Sequence, residues 1–412
     1  MLLALLVAAP VVAQVDVRVD GPGTTSAGAV RRLMDTRPGA ELEPDVLERD
    51  LARLRTTGIL YDVRAEPIEG GARVEVSAQD RWSALPVVGF RRGGGRTTAR
   101  LGVADHNFAG QLATVYGEIT SNADIPFVSQ KSSDRIGSLV YAEVPRLFGT
   151  RLTPFVAWTR DFLDFSSFSE RGVGYIYDRA RYALRGELRY ELASTLTLIV
   201  GAEGRRDRYR TSDVTRAPGT PPPNADIFFG LAGVQLGYVE DFVSQQRGSE
   251  LRLLGELARD GTFSSTLQAR AYFLPMPAHN LCVQTLVQTT TGSQESYLFR
   301  SGGLREIRGF TDAYFAGAAM VRANVEWRWD VLRTTVFVPV IGQLAAFTDG
   351  GYVARRRGAV SGLDYEGPIF SAGVGVRGIP IPFARAVGRI DFAVGMVPTR
   401  TVDVSFSGQQ FF

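Results

Sequence analysis

The chain of 412 residues is nearly devoid of three residue types that carry much of protein chemistry. A single cysteine, Cys282, rules out a disulfide framework or a cysteine-based metal site within one chain. Only two histidines, His106 and His279, are present, which argues against a His-rich metal site and leaves few candidates for the base of a hydrolase. His106 and His279 read as turn residues and Cys282 as an inert strand residue. No metal, no cofactor and no enzyme activity are expected. Lysine is almost absent too: Lys131 stands alone, so 45 of the 46 basic residues are arginine. No apolar run reaches about 18 residues, and 22% of residues are charged, which excludes a polytopic helical membrane protein. The net charge is only +3, and arginines alternate with acidic residues, so no nucleic-acid partner is expected. Gly93-Gly94-Gly95 lacks the following Lys-Ser/Thr of a phosphate loop. Asp161, Asp164, Glu170 and Asp178 lack the spacing of a calcium loop. What is abundant points to β structure: 45 Gly, 24 Phe and 14 Tyr in a chain that is 45% hydrophobic, too apolar for disorder.

Residues 2–13 read LLALLVAAPVVA. The run is too short to span a bilayer as a helix, and Val11 and Ala13 fit the small-residue rule for cleavage before Gln14. The expectation is a signal peptide over 1–13, with a buried core segment as the alternative. Residues 14–80 then form a small α/β unit. Val15, Val17 and Val19 alternate with polar residues as in a strand, and Gly21-Pro22-Gly23 breaks it. Ser26 can cap a helix carrying Val30, Leu33 and Met34. Pro44 opens a second helix with Val46, Leu47, Leu51 and Leu54 on one face and Gly58 past its end. Two strand-like runs, 59–68 and 73–78, meet at Gly70-Gly71. The order is β-α-α-β-β.

From residue 84 to 412 the helical period vanishes. Runs of about ten residues alternate apolar and polar, separated by Gly, Pro, Asn and Asp. In one, Tyr182, Leu184, Leu188, Tyr190 and Leu192 oppose Arg181, Arg185, Glu187, Arg189 and Glu191. In another, Val321, Ala323, Val325, Trp327 and Trp329 oppose Arg322, Asn324, Glu326, Arg328 and Asp330. In a third, Leu267, Ala269, Ala271 and Phe273 oppose Gln268, Arg270 and Tyr272. A soluble sandwich or a transmembrane barrel satisfies such a pattern. The export signal and more than 300 residues of strand-like sequence favour the barrel. Sixteen runs are counted, beginning near Thr97 and ending with one near Arg400, with separate runs starting near Gly172 and Arg181. The fold class is thus mainly β: a 16-stranded antiparallel transmembrane β-barrel preceded by one small α/β domain. The Pro-rich 217–224 reads as a loop. The arginine groups 205–208 and 355–357 could face lipopolysaccharide phosphates or line a solvated loop.

The sequence resembles a known superfamily at several places. Residues 54–63, LRTTGILYDV, resemble the L-x-x-T-G-x-F-x-x-V run of the POTRA domain, with Leu60 where an aromatic is usual. Residues 302–310, GGLREIRGF, resemble the V/I-R-G-F/Y lumen loop of the BamA-type superfamily, the bacterial surface antigens; its motif residues are Ile307, Arg308, Gly309 and Phe310. Phe347, Asp349 and Gly351 match that family's F-x-D-x-G. Gly102, Asp105, Asn107, Phe108 and Gly110 resemble its first hairpin, G-x-x-D-x-N-F-x-G. Phe406, Phe411 and Phe412 resemble a C-terminal strand signal ending on an aromatic.

The resemblance implies a bacterial outer-membrane barrel with its soluble domain in the periplasm, which assembles, inserts or translocates proteins without ATP. The implied partners are outer-membrane lipid and lipopolysaccharide, unfolded outer-membrane or secreted clients, and accessory lipoproteins. Essential assembly factors of the superfamily usually carry several POTRA domains and two-partner transporters two, whereas this chain has one. A two-partner-type secretion pore and a passive or structural channel therefore stand as alternatives. A further enzyme alternative, an outer-membrane phospholipase, lacks a convincing Ser–His pair. Within the lumen, Arg308 would dock bidentately on Asp349, because a buried unpaired guanidinium is costly. Gly309 would form the tip, and Ile307 and Phe310 would pack on wall residues such as Phe347. The soluble domain would capture client strands by β-augmentation, or serve as a plug or spacer.

Overall fold

The structure is a computed structural model, and it describes residues 10–93, 96–124, 136–169, 172–211, 221–302, 306–310, 315–354 and 366–407. Phe411, Phe412, the arginines at 355–357, most of the expected signal peptide and half of the Pro-rich loop lie outside the described residues.

The N-terminal unit follows the order read from its sequence. Strand Gln14–Asp20 precedes helices Ala27–Leu33 and Pro44–Thr56, then strands Leu60–Ile68 and Arg73–Asp80. The last strand is central, parallel to the first and antiparallel to Leu60–Ile68. Ser26 caps the first helix, its Oγ accepting from Ala29 N at 3.1 Å, which satisfies one of the helix's free donors. Leu47, Leu51 and Leu54 turn one helical face into the core, with Val30, Leu33 and Met34 from the first helix. Val12, which lies ahead of the expected cleavage point, is fully buried in this core and donates its N–H to Ala40 O.

From Ala84 the chain forms one 16-stranded antiparallel sheet, each strand paired with the next in order. It curls so that the first strand, Ala84–Gly93, lies beside the sixteenth, Thr401–Ser407. Alternation sets the two faces. Leu184, Leu188, Tyr190 and Leu192 are exposed outward, as are Trp327 and Trp329, while Glu187, Glu326 and Arg328 are buried inward. Among the described residues, nothing covers the outward apolar face. A nearly closed wall with an apolar exterior and charged interior suits lipid, where backbone groups need partners within the protein.

The total of sixteen arises from a different division of the chain. The run 84–93 is a strand that the alternation reading missed, because Pro86, Gly89 and Gly93 interrupt it like a loop. The expected strands near Gly172 and Arg181 are one continuous strand, Gly172–Ala193, paired along its length with Leu152–Ser169 and Leu196–Thr211. Asp178, which reads as a separator between the two halves, is instead laddered on both sides, to Asp164 and to Arg210.

All module-side turns are short, and the α/β unit sits against them. Leu112 and Ala384 from two of these turns join the unit's hydrophobic core. Arginines stitch the contact: Arg53 Nη2 to Glu191 at 2.7 Å, Arg146 Nη1 to Asp35 at 2.9 Å, and Arg55 Nη1 to Glu240 at 3.1 Å.

Candidate functional site

The connection between the eleventh strand (His279–Thr290) and the twelfth (Ala319–Thr335) returns to the barrel lumen. Phe299–Ser301 pairs with Phe315–Gly317 as a short antiparallel hairpin at its base. Its apolar contacts are made by Ile307, Phe310, Phe315, Met320, Val353 and Ile369, all buried together. Phe310 meets Phe315 edge-on at 5.2 Å. The expected packing of Ile307 and Phe310 on Phe347 is not what forms. Phe347 instead lies under the Arg308 guanidinium, 3.4 Å from its ring centroid, so a cation caps that ring.

Arg308 is held on every side. Its Nε and Nη2 donate to the two oxygens of Asp349 at 2.8 and 2.7 Å, a bidentate fork, and its backbone N donates to Asp349 Oδ2 at 3.0 Å. Asp349 lies inside the thirteenth strand, Pro339–Ala354, opposite Asn324. Gly351, two residues on, shares that strand. The remaining amine, Nη1, donates to Glu326. Glu326 also accepts from Arg328 Nε at 2.8 Å and Arg377 Nη2 at 3.3 Å. Arg377 reaches Asp391, which pairs with Arg389 at 3.2 Å. The result is a chain of buried alternating charge running from the loop across four strands, the twelfth to the fifteenth. Glu326, Arg328, Arg377, Asp391 and Arg389 were not singled out as site residues from sequence. The alternation phase does place Glu326, Arg328 and Asp349 on the inner face, but it cannot say which of 45 arginines meets which carboxylate.

Gly309 carries φ +88°, and a Cβ there would lie 2.8 Å from Gly395 N. Glycine therefore permits both the left-handed turn and the close approach. At the same point Thr401 Oγ1 donates to Gly309 O. The loop tip is thus bonded to the sixteenth strand, one of the two strands at the barrel seam. No backbone ladder joins the first and sixteenth strands among the described residues, whereas every other neighbouring pair is laddered.

The hairpin motif serves a different place. It lies on the second strand, Arg96–Phe108, and its turn into the third, Ala113–Asp124, rather than on the first hairpin. Gly102 pairs with Glu118 within the wall. Asp105 Oδ1 accepts from Ser83 Oγ and Asn107 N, both at 2.9 Å. Asn107 is buried, donating to Thr25 Oγ1 at 2.6 Å and accepting from Leu112 N at 2.7 Å. Gly110 O accepts from Ser26 N at 3.0 Å, and any Cβ on Gly110 would collide with the Thr24 carbonyl. Phe108 is exposed outward. The motif therefore joins the α/β unit's first helix cap to the barrel rim.

His106, on the same strand, is buried, and no cluster of metal-ligating residues surrounds it among the described residues. His279 opens the eleventh strand, stacked on Trp329 at 5.5 Å, its Nδ1 accepting from Trp327 Nε1. Cys282 faces the interior and is fully buried. Phe406 points outward beside Ile390 on the neighbouring strand.

At the module end, burial pushes the Asp35 carboxyl up, but the hydrogen bond from Arg146 and the charges of Arg53 and Arg146 outweigh it and hold it below its ordinary value.

No family model and no curated protein matches the chain by sequence. Solved structures match its shape. CdiB from Escherichia coli aligns with a TM-score of 0.66 at 12% identity, over 96% of this chain and 76% of that one. CdiB from Acinetobacter baumannii gives 0.64 at 11%, over 97% and 73%. BamA from Haemophilus ducreyi lacking POTRA domains 1–3 gives 0.51 at 15%, over 96% and 84%. At these identities the likeness establishes the fold alone: a 16-stranded barrel with a small α/β unit at its N-terminal end, as in CdiB and BamA.

Proposed function

We propose that this outer-membrane barrel inserts or translocates unfolded protein clients without ATP, using its seam as the working edge. The observation that carries this reading is the seam itself: two strand edges side by side without a ladder among the described residues, one of them tied to the lumen loop through Thr401 and Gly309. In lipid each unpaired backbone group costs several kcal/mol, so an open edge favours pairing with an incoming strand. The loop would brace the sixteenth strand from inside, so that opening leaves the last hairpin intact. Arg308 has a conformational role in this reading and takes part in no reaction. The α/β unit, docked across the turns, would restrict the periplasmic mouth until a client displaces it.

The test locks the seam. In a Cys282→Ser background, cysteine pairs are scanned between positions 85–89 and 402–406. Cells relying on the locked protein are compared with and without reductant, and their outer-membrane barrels are counted. Loss of barrel proteins without reductant, restored when reductant opens the lock, is the expected result. Unchanged barrels with one exported protein missing from the medium would assign secretion instead. Normal cells with a fully locked seam would end the proposal. Large steady conductance in planar bilayers would mark a passive channel.

A further inference from the structure

The outer wall carries a feature that a uniform lipid-facing surface does not need. Across the fifth to eighth strands, Trp158, Leu184, Gly204 and Phe228 form one outward row, cross-paired strand to strand. Leu184 and Phe228 are 57% and 58% exposed. Between them Gly204 leaves open space, with nothing within 4 Å of where its Cβ would be. The row borders a cleft of about 770 Å³. The next outward row is Arg160, Tyr182, Arg206 and Asp226. Arg160 stacks on the Tyr182 ring at 5.6 Å, and Asp226 pairs with both Arg206 and Arg208, at 3.0 and 2.9 Å. Arg259, in the adjoining turn, is exposed and joins the cleft. Asp260, exposed beside Arg259 and accepting from Tyr297 Oη, is the second acid of the cleft, so four guanidinium groups face two carboxylates.

Their height gives the excess charge a meaning. Tyr182 stands ten residues along its strand from Leu192, at the module end. At about 3.3 Å per residue and a tilt of about 40°, that is roughly 25 Å, the height of a barrel's apolar band. The arginines therefore lie at the headgroup level of the leaflet away from the module, above an apolar cleft.

We propose that this cleft is a specific site for a phosphate-bearing, multi-acylated lipid of the outer leaflet, its phosphate on Arg206 and Arg259 and an acyl chain over Gly204. The inference rests on the barrel's place in the outer membrane and needs no client, so it can fail or hold independently of the insertion reading.

Native mass spectrometry on the purified full chain in detergent tests it, with three probes: bis-phosphorylated lipid A, its dephosphorylated form, and inorganic phosphate. One equivalent of the phosphorylated lipid should be retained in preference to the other two. Arg206→Ala with Arg259→Ala should weaken it roughly 30-fold, at about fivefold for each guanidinium near a membrane surface. Gly204→Leu fills open space, so it should fold normally, shown by heat-modifiable gel migration, and weaken both acylated probes. Arg333→Ala, at the module end, should change nothing. Equal binding of the two lipids, equal loss with Arg333→Ala, retention of inorganic phosphate alone, or a dimer that the double variant dissociates would each overturn the site.

Discussion

Removing the Arg308 side chain should be among the most damaging single truncations in the lumen. Arg308→Ala deletes both side-chain donors to Asp349 and the donor to Glu326. Glu326 keeps Arg328 and Arg377. Asp349 keeps only the backbone N–H of residue 308 among these bonds, at a position that is fully buried. Breaking a buried pair by removing one partner costs about 3–5 kcal/mol, mostly the penalty of the stranded charge. Asp349→Ala leaves Arg308 with Glu326 and the Phe347 ring, so its cost should be smaller, about 2–3 kcal/mol. The double variant strands neither group, and it should cost less than the two singles added together, with a coupling of at least about 1.5 kcal/mol. Arg308→Lys keeps the charge but loses the planar fork, and should fall between wild type and Ala. The assay is urea unfolding in detergent micelles, read by heat-modifiable migration, with limited proteolysis of the loop as a second probe. Additive single costs, or a silent Arg308→Ala, would refute the argument. So would a charge swap, Arg308→Asp with Asp349→Arg, whose cost equals the sum of its two damaging singles.

Two further outcomes follow from the geometry. Gly309→Val puts a branched side chain at φ +88° and against the Gly395 backbone; it should cost about 2–4 kcal/mol and expose the loop to protease, whereas normal loop protection would contradict the close approach. Asp35 is held below its ordinary value near 3.8, so its stabilising contribution is fully present above that value and fades as pH falls through the lowered folded-state value. Cleavage between the α/β unit and the barrel by an acid-stable protease should rise below about pH 4, and Asp35→Asn should show the raised cleavage already at neutral pH; a pH-independent rate would refute the latch.

Much of this protein is determined locally. Leu184, Leu188 and Tyr190 against Arg185, Glu187 and Arg189 specify a two-faced strand, because side chains alternate with a period of two whatever lies beyond. Ser26 and Pro44 likewise start their helices through their own chemistry. The motif residues 307–310 and 347–351 could be placed on the connection after the eleventh strand and on the thirteenth strand, and the structure sets Arg308 against Asp349. The strand at 84–93 was hidden because its Pro and Gly look like punctuation, and only pairing with 96–105 makes it a wall.

What tertiary structure alone decided is partnership. Alternation assigns Glu326 and Arg328 to the interior, but their pairing with Arg308 and Arg377 depends on curvature and register summed over sixteen strands. The tie from Gly309 to Thr401, the seating of the α/β unit on Asn107 and Gly110, and the gathering of Arg160, Arg206 and Arg259 at one height are all contacts between distant residues. A single chain of letters carries the phase of each strand; closing the sheet is what brings those phases into contact.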